Sequence, residues 1–345
     1  MGVKAVKLYF NGIIFLATLV LLVLTIMANI ASYAHPSTNT WLHFLPVFAP
    51  FLIITNILSF IYWAHVSRKI LFIPAISLLF SGLYFVSLMG FGISAYNPSQ
   101  SKQHIKVASF NINYFGHTEQ NNAIQIASLA QKHNVDIIAM QEFNPNSFYN
   151  INEITGEFHF LGNNAIFTGN KDGIGMAIMS KYPILISNKI TFENTGNGFM
   201  WADILFEQDT IRIFNLHLQT TGFHSSRIKG YKQVFENMLE NFLLRASQAQ
   251  IVRDYISDSP YPVIVAGDLN DTPRSFVYNT LKGDDLIDSF TKKKFGPGGT
   301  YRWTLNLLRI DYILHSKHFN TVEYKMESVA LSDHKPIFSV LEYQN

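Results

Sequence analysis

Cysteine is absent from the 345-residue sequence, which excludes disulfides, thiolate nucleophiles and thiolate metal sites. Acidic residues are absent over a long stretch as well. Residues 1–100 hold no Asp or Glu, and their Lys and Arg are limited to Lys4, Lys7, Arg68 and Lys69. The rest of the chain therefore carries all 24 acidic residues against 22 of the 26 basic ones, a slightly acidic balance. A groove for nucleic acid normally shows a basic excess, so this balance argues against one. The dense basic run, Lys292 to Lys294, reads as a solvated loop.

What the first hundred residues do contain is hydrocarbon. Residues 8–30, 44–64 and 70–92 are apolar apart from small polar side chains such as Asn11, Thr18, Thr25 and Asn29. Each run reaches or exceeds the ~20 residues needed to cross a ~30 Å hydrocarbon layer. None shows the polar face that a soluble helix presents every turn. Pro46, Pro50 and Pro74 fall near expected helix starts, and Trp41, Tyr62, Trp63 and Tyr96 fall near run ends, as interfacial aromatics do. The pattern predicts a membrane domain over residues 1–96 with three transmembrane helices. A signal sequence cleaved near Ser32-Tyr33-Ala34 is the alternative for the first run, whose length exceeds the usual signal core and favours an anchor. Lys4 and Lys7 precede the first run, and Arg68 and Lys69 lie between the second and third. The positive-inside rule then puts the N-terminus in the cytoplasm and everything after Gly92 outside it. Residues 97–103, with Pro98 and two serines, form the expected linker to a second domain over 104–345.

In that second domain short apolar runs alternate with turns and two helical stretches, 121–134 and 231–256. The runs deliver polar residues at their ends: Asn111 after "IKVASF", Glu142 after "VDIIAMQ", His217 in "IRIFNLHLQ", and Asp268 with Asn270 in "VIVAGDLNDTP". Asp311 stands inside "LRIDYILHS", and Asp333-His334 precede the last strand in "LSDHKPIFSVLEY". "GIGMAIMSKYPI" (173–184) and "MWADILFE" (200–207) read as paired strands. Any one of these side chains is compatible with a turn or cap, because Asp and Asn bond their own backbone. Asp311 is harder to place so, since a carboxylate in an apolar strand needs a partner. Asp271 is read as a turn residue that, with Thr272 and Pro273, caps the next segment. Taken together, hard oxygen ligands and histidines without thiols suit Mg²⁺, with Mn²⁺ as a possible substitute, rather than Zn²⁺ or copper.

The set resembles the endonuclease/exonuclease/phosphatase superfamily, which includes type I deoxyribonucleases, abasic-site endonucleases, inositol-phosphate 5-phosphatases and neutral sphingomyelinases. "SFNIN", "MQE", "GIGMAIMSKYPI", "NLHLQ", "GDLNDTP", "RIDYIL" and "SDHKPI" match its motifs in order over residues 104–343. Leu269 departs from the phenylalanine often found between the family's Asp and Asn, a change expected to be neutral. The resemblance implies a four-layered α/β sandwich, two packed β-sheets flanked by helices. It implies Glu142 as the main Mg²⁺ ligand, assisted by Asn111 and Asp333. Asp268 would orient or deprotonate the attacking water, and Asn270 would hold a phosphate oxygen. His334, fixed by Asp311, would stabilise the pentacovalent phosphorus or relay a proton. His217 would contact the phosphate near the leaving group.

These readings predict a membrane-anchored, metal-dependent phosphoesterase acting outside the cytoplasm. A short tether raises the effective concentration of membrane lipids, so a lipid phosphoester is the favoured substrate. An extracytoplasmic DNA or RNA nuclease is the alternative, disfavoured by charge. A non-catalytic membrane sensor or scaffold is the second alternative, and the presence of all eight candidate residues weighs against it.

Overall fold

The computed structural model describes residues 2–92, 103–116, 122–145, 150–167, 174–193, 195–222 and 230–344. The expected linker lies outside these residues except for Gln103, as do Tyr96 and Gly173.

The N-terminal region is a helical bundle: α1 (Val3–Ala31), the short α2 (Phe44–Val47), α3 (Ala49–Val66) and α4 (Phe72–Leu88). The small polar residues scattered through the apolar runs turn inward and form a seam. Asn56 Nδ2 donates to Thr25 Oγ1 at 2.9 Å and to Ser81 Oγ at 3.1 Å, while Ser77 Oγ donates to Asn56 Oδ1 at 2.7 Å. Interhelical polar contacts of this kind hold bundles whose outer faces are apolar. Those outer faces are well populated, with Leu8, Leu16 and Leu79 all exposed.

α1 and α3, of 29 and 18 residues, are long and apolar enough to cross a membrane. α4 is shorter, at 17 residues, so the third predicted span is not matched in length. It stops at Leu88 because the chain leaves the helix into β1 (Met89–Phe91). Trp63 also departs from expectation. It is buried, and its Nε1 donates to Thr18 Oγ1 at 2.8 Å, so it serves the bundle interior rather than an interface.

The second region contains two six-stranded sheets. The strands are β2 (His104–Asn111), β3 (Ile137–Gln141), β4 (Asn163–Phe167), β5 (Met176–Ser180), β6 (Ile184–Thr191), β7 (Gly198–Phe206) and β8 (Asp209–His217). They continue with β9 (Val263–Asp268), β10 (Leu286–Asp288), β11 (Phe295–Pro297), β12 (Asp311–Ser316), β13 (Phe319–Met326) and β14 (Ile337–Tyr343). One sheet runs β13-β14-β2-β3-β5-β4 and the other β10-β12-β9-β8-β7-β6. Helices α5 (Asn122–Lys132) and α6 (Ile151–Glu157) cover the first sheet, and α7 (Tyr231–Ser257) and α8 (Phe276–Lys282) the second.

Strand alternation generates the layers. In β9, Ile264 and Ala266 face the core between the sheets, while Val263 and Val265 face the helices. β12 divides likewise, Ile313 inward and Tyr312 and Leu314 outward. Buried on both faces, these strands read as continuous apolar runs. Full burial of each large aliphatic side chain is worth about 1.5–3 kcal/mol. This is the four-layered sandwich expected from the sequence.

Residues 173–184 and 200–207 are not partners. β5 pairs with β3 and β4 in one sheet, whereas β7 lies in the other between β6 and β8. The chain crosses between sheets through Lys181–Pro183, so the predicted pairing survives only as Ile184 opposite Ile204. The lysine run is not a loop either. Lys292 and Lys293 end helix α9 (Ser289–Lys293), and β11 follows. There β11 pairs with β1 in register, Gly90 opposite Gly296. A Cβ on Gly90 would sit 2.1 Å from the Lys294 carbonyl oxygen, so this close strand contact requires glycine.

Candidate active site

Among the described residues, each large sheet has one parallel strand pair: β2 with β3, and β8 with β9. Their carboxyl ends meet at one edge of the sandwich, the position where open α/β sheets present ligand sites. β2 delivers Asn111 and β3 is followed by Glu142. β8 delivers His217, which lies opposite Asp268 at the end of β9. Asp268 in turn lies opposite Asp311, the first residue of the antiparallel β12.

Local backbone geometry aims these groups. Glu142 and Asn270 adopt φ of 57° and 51°, left-handed values that cost energy outside glycine and that collect at functional sites. Gly267, at φ 145°, is packed so closely that a Cβ would lie 2.2 Å from the Leu216 carbonyl oxygen. That approach brings β9 against β8 just before Asp268. Asp268 Oδ1 then accepts the Asn270 backbone N–H at 2.8 Å, which closes the turn over the strand end.

Asn111 links the two sheets. Its Nδ2 donates to Glu142 Oε1 at 3.0 Å and to Asp268 Oδ2 at 3.1 Å. Asn270 Nδ2 donates to the Leu218 carbonyl at 2.9 Å and lies 3.4 Å from Asp268 Oδ2. On the far side, His334 Nδ1 is 3.0 Å from Asp311 Oδ2 and 3.1 Å from Oδ1, while its Nε2 is 3.7 Å from Asp268 Oδ2. His217 Nε2 sits 3.6 Å from Glu142 Oε1 and 3.8 Å from Asp268 Oδ2. Seven of the eight predicted side chains thus share one connected cluster. Asp333 stands at its margin. It accepts from Ser332 Oγ at 3.2 Å and reaches Glu142 only through its charge.

The two histidines are pushed in opposite directions. Burial works against the His334 imidazolium, but Asp311, Asp268 and the bond to Asp311 outweigh it and raise its pKa to about 10. Burial lowers the His217 pKa, against the pull of Asp268, and its buried Nδ1 has no hydrogen-bond partner among the described residues. A charged and a neutral imidazole therefore flank the carboxylates, an arrangement that separates acid and base roles. Burial raises the carboxyl pKa of Asp268, opposed by His334. It also raises that of Glu142, opposed by the Asn111 hydrogen bond and His334.

A cation fits this donor set. Among the described residues, no lysine or arginine pairs with Glu142, although burial works against its negative charge. Such a carboxylate needs a counter-charge. Asp268, Asp311 and His334 offer ligand atoms within 4.8 Å of one another. With His334 as an imidazolium the trio suits a cation less well, because each ring nitrogen then carries a proton and cannot ligate. The carboxylate of Glu142, beside the Asn111 amide, is the better-suited position for a hard cation.

Four contributors were not picked out from the sequence. Tyr301 forms an antiparallel bridge with His334, and their rings are 5.0 Å apart. Burial, with Asp333, Asp268 and Glu142 nearby, pushes its hydroxyl up to about 12. Tyr114 donates its backbone N–H to the Glu142 carbonyl at 3.2 Å, and burial followed by Glu142 pushes its hydroxyl up to about 12. Beneath the site, Gln141 Nε2 donates to Asn215 Oδ1 at 2.7 Å, and Asn215 Nδ2 donates to the Met140 carbonyl at 2.9 Å. This bridge ties the two sheets together under the carboxylates. Gln141 and Asn215 interrupt apolar strands, which was a usable signal; Tyr301 and Tyr114 lie in irregular segments that offered none.

Asp271 is not merely a turn residue. It is buried, and its Oδ2 accepts from Nε of the fully buried Arg245 on α7 at 3.1 Å. The cap of the next helix is Ser275, whose side chain accepts from Tyr278 N.

Known structures share this architecture. An endonuclease/exonuclease/phosphatase from Beutenbergia cavernae DSM 12333 is similar with a TM-score of 0.56 at 17% identity, covering 71% of this chain and 72% of that one. TDP2 of D. rerio, solved with a single-strand DNA product, gives 0.52 at 18% identity over 69% of this chain and 98% of that one. A mannosyl-6-phosphatase of Bacteroides thetaiotaomicron VPI-5482 gives 0.50 at 18% identity over 69% and 99%. No curated protein matches the chain. Residues 11–88 match a domain of unknown function, DUF8431. Residues 108–334 match the Endonuclease/Exonuclease/phosphatase family, whose members are usually metal-dependent hydrolases, and the chain belongs to that family.

Proposed function

We propose that the protein is a membrane-anchored, Mg²⁺-dependent phosphoesterase that works outside the cytoplasm, with a lipid phosphoester as favoured substrate. One observation carries the reading: the Asp311–His334 pair faces Asp268, which Asn111 also contacts, with His217 and Glu142 alongside.

Asp268, buried and with its carboxyl pKa raised, is suited to orient a water and accept its proton as the water oxygen bonds to phosphorus. Asn270 holds a phosphate oxygen through its side-chain amide. The His334 imidazolium stabilises charge on the pentacovalent phosphorus and returns a proton as the ester P–O bond breaks. Asp311 fixes the ring and its charge. His217, neutral, contacts the phosphate near the leaving oxygen. Glu142 and Asn111 would hold Mg²⁺, with Asp333 acting through its charge, and the ion would supply neutralisation of the non-bridging oxygens.

The anchor rests on the bundle. The end of α1, the α2 segment and the end of α4 touch the catalytic region: Asn279 Nδ2 donates to Ser32 O at 2.7 Å, Thr272 Oγ1 to Pro46 O at 3.4 Å, and Arg309 to Ser87 O at 3.2 Å. Lys4, Lys7, Arg68 and Lys69 flank the opposite ends of α1, α3 and α4. This supports a cytoplasmic face there and an external catalytic region. Purified protein with Mg²⁺ should hydrolyse sphingomyelin or phosphatidylinositol phosphates in preference to inositol phosphates and plasmid DNA. Preferential cleavage of DNA would replace the lipid reading with the nuclease one, and no hydrolysis of any of these would refute the phosphoesterase.

A further inference from the structure

Beside the catalytic cluster lies a cavity of about 260 Å³, reached past Asn270. Thr221, Thr272, Asp271 and Tyr301 are among its polar lining residues, and Leu308 and Ile310 are apolar. The remaining apolar wall residue is Val47, which belongs to α2 and not to the catalytic region.

That wall is firmly seated. Phe44, one turn earlier on α2, stacks on Phe235 of α7 at 4.5 Å and meets Phe242 edge-on at 5.0 Å. Phe44, Val47, Met238 and Phe242 form one buried cluster, with Leu308 packed against it. The Thr272–Pro46 hydrogen bond fixes the backbone beside Val47. Such a hydrophobic seat holds α2 against the cavity, so residues of both regions line it.

We propose that α2 is part of the substrate site, and that Val47 limits the size of an apolar substituent on the phosphoester whose phosphate rests against Asn270. This deepens the phosphoesterase reading and rests on it for the position of the phosphate. The chemistry of the lining selects the occupant. Val47, Leu308 and Ile310 offer no hydrogen bond, so the part of the slot that they line suits an apolar group. The volume selects its size. Roughly 150 Å³ suffices for benzene and whole ligands occupy about 300 Å³ or more, so this slot takes an aryl or short alkyl portion and leaves the rest outside.

The chain has no cysteine, so Val47→Cys places a unique thiol in the slot of the full-length protein. Labelling by a methanethiosulfonate reagent reads its accessibility without turnover. Saturating phenylphosphonate should slow labelling about tenfold, and methylphosphonate less than about twofold, as simple mass action requires of a ligand that fills the slot. Where Val47→Cys lowers the melting temperature, Leu308→Cys on the facing wall gives the same reading. Val47→Trp should raise KM for aryl phosphoesters about tenfold more than it raises KM for methyl esters. Equal labelling with and without phenylphosphonate, or protection by thymidine 5′-phosphate alone, would overturn the proposal. Protection by phenylphosphonate in a protein that hydrolyses no phosphoester would retain the slot and remove the phosphoesterase reading instead.

Discussion

His334 Nδ1 lies 3.0 Å from Asp311 Oδ2, and Asp311 lies opposite Asp268 on the neighbouring strand. The imidazolium is thus the shared counter-charge of two buried carboxylates. Strand register brings together the carboxylates, and His334 arrives from the loop before β14 to neutralise them.

If Asp311 only orients and charges the ring, Asp311→Asn should reduce kcat/KM less than His334→Ala. The double variant should be no worse than His334→Ala, because residues acting as a unit are strongly non-additive. Losing the Asp311 charge removes a major contribution that holds the His334 pKa near 10, so the alkaline limb of the rate profile should move to lower pH in Asp311→Asn. Fully multiplicative losses, or an unmoved alkaline limb, would show that the two act separately.

Glu142→Gln tests the proposed cation site. Activity should fall about a hundredfold or more, as it does when a charge-stabilising group is removed. EDTA should abolish wild-type activity, and Mg²⁺ should restore it better than Zn²⁺. Burial already works against the Glu142 charge, so the metal-free variant should melt no lower than metal-free wild type. Near wild-type turnover across a Mg²⁺ titration would remove Glu142 from the site.

Much of this arrangement is legible in the sequence because strand ends are local. Asn111, Glu142, His217, Asp268 and Asp311 each close or open an apolar run, and apolar runs mark strands. Which strands pair is not local, and there the sequence misleads: β5 and β7 look like neighbours in sequence yet lie in different sheets. The third apolar run extends through Met89–Phe91 because a β-strand that pairs with residues two hundred positions away has the same composition as a helix end. Asp271 is hidden for a related reason. Its partner Arg245 sits on a helix whose charged residues otherwise read as a solvated face. Tyr301 is invisible because its role comes from a bridge between two loops.

Asp271→Ala should therefore destabilise the protein by about 3 kcal/mol or more, since it leaves the fully buried Arg245 without its carboxylate. Thermal melts in detergent would register the loss. A melting point equal to wild type would return Asp271 to a turn role.

The bundle geometry predicts a specific orientation. An alkaline-phosphatase fusion after Asn345 should be active in cells, and a cytoplasm-dependent fluorescent fusion at the same place dark. The reverse pattern would place the catalytic region in the cytoplasm and reopen cytoplasmic substrates.

The seat of α2 on α7 carries its own pH dependence. His43 is buried, its ring lies 6.5 Å from that of Phe242, and its Nε2 has no hydrogen-bond partner among the described residues. Burial lowers its pKa from 6.5 to about 4, only partly offset by Asp271 and reinforced by His35 and Arg245. Between those values the unfolded chain binds a proton that the folded chain refuses. Folding is therefore favoured as pH rises through this window, and the contribution is lost as pH falls from 6.5 towards 4. The melting temperature of the full-length protein in detergent should drop over that range. His43→Phe keeps a ring against Phe242 and removes the titration, so its melting temperature should fall less steeply over the same range. Other groups that titrate in the window affect both proteins alike, which makes the difference between the two slopes the informative quantity. Identical slopes would show that His43 does not control the docking of α2.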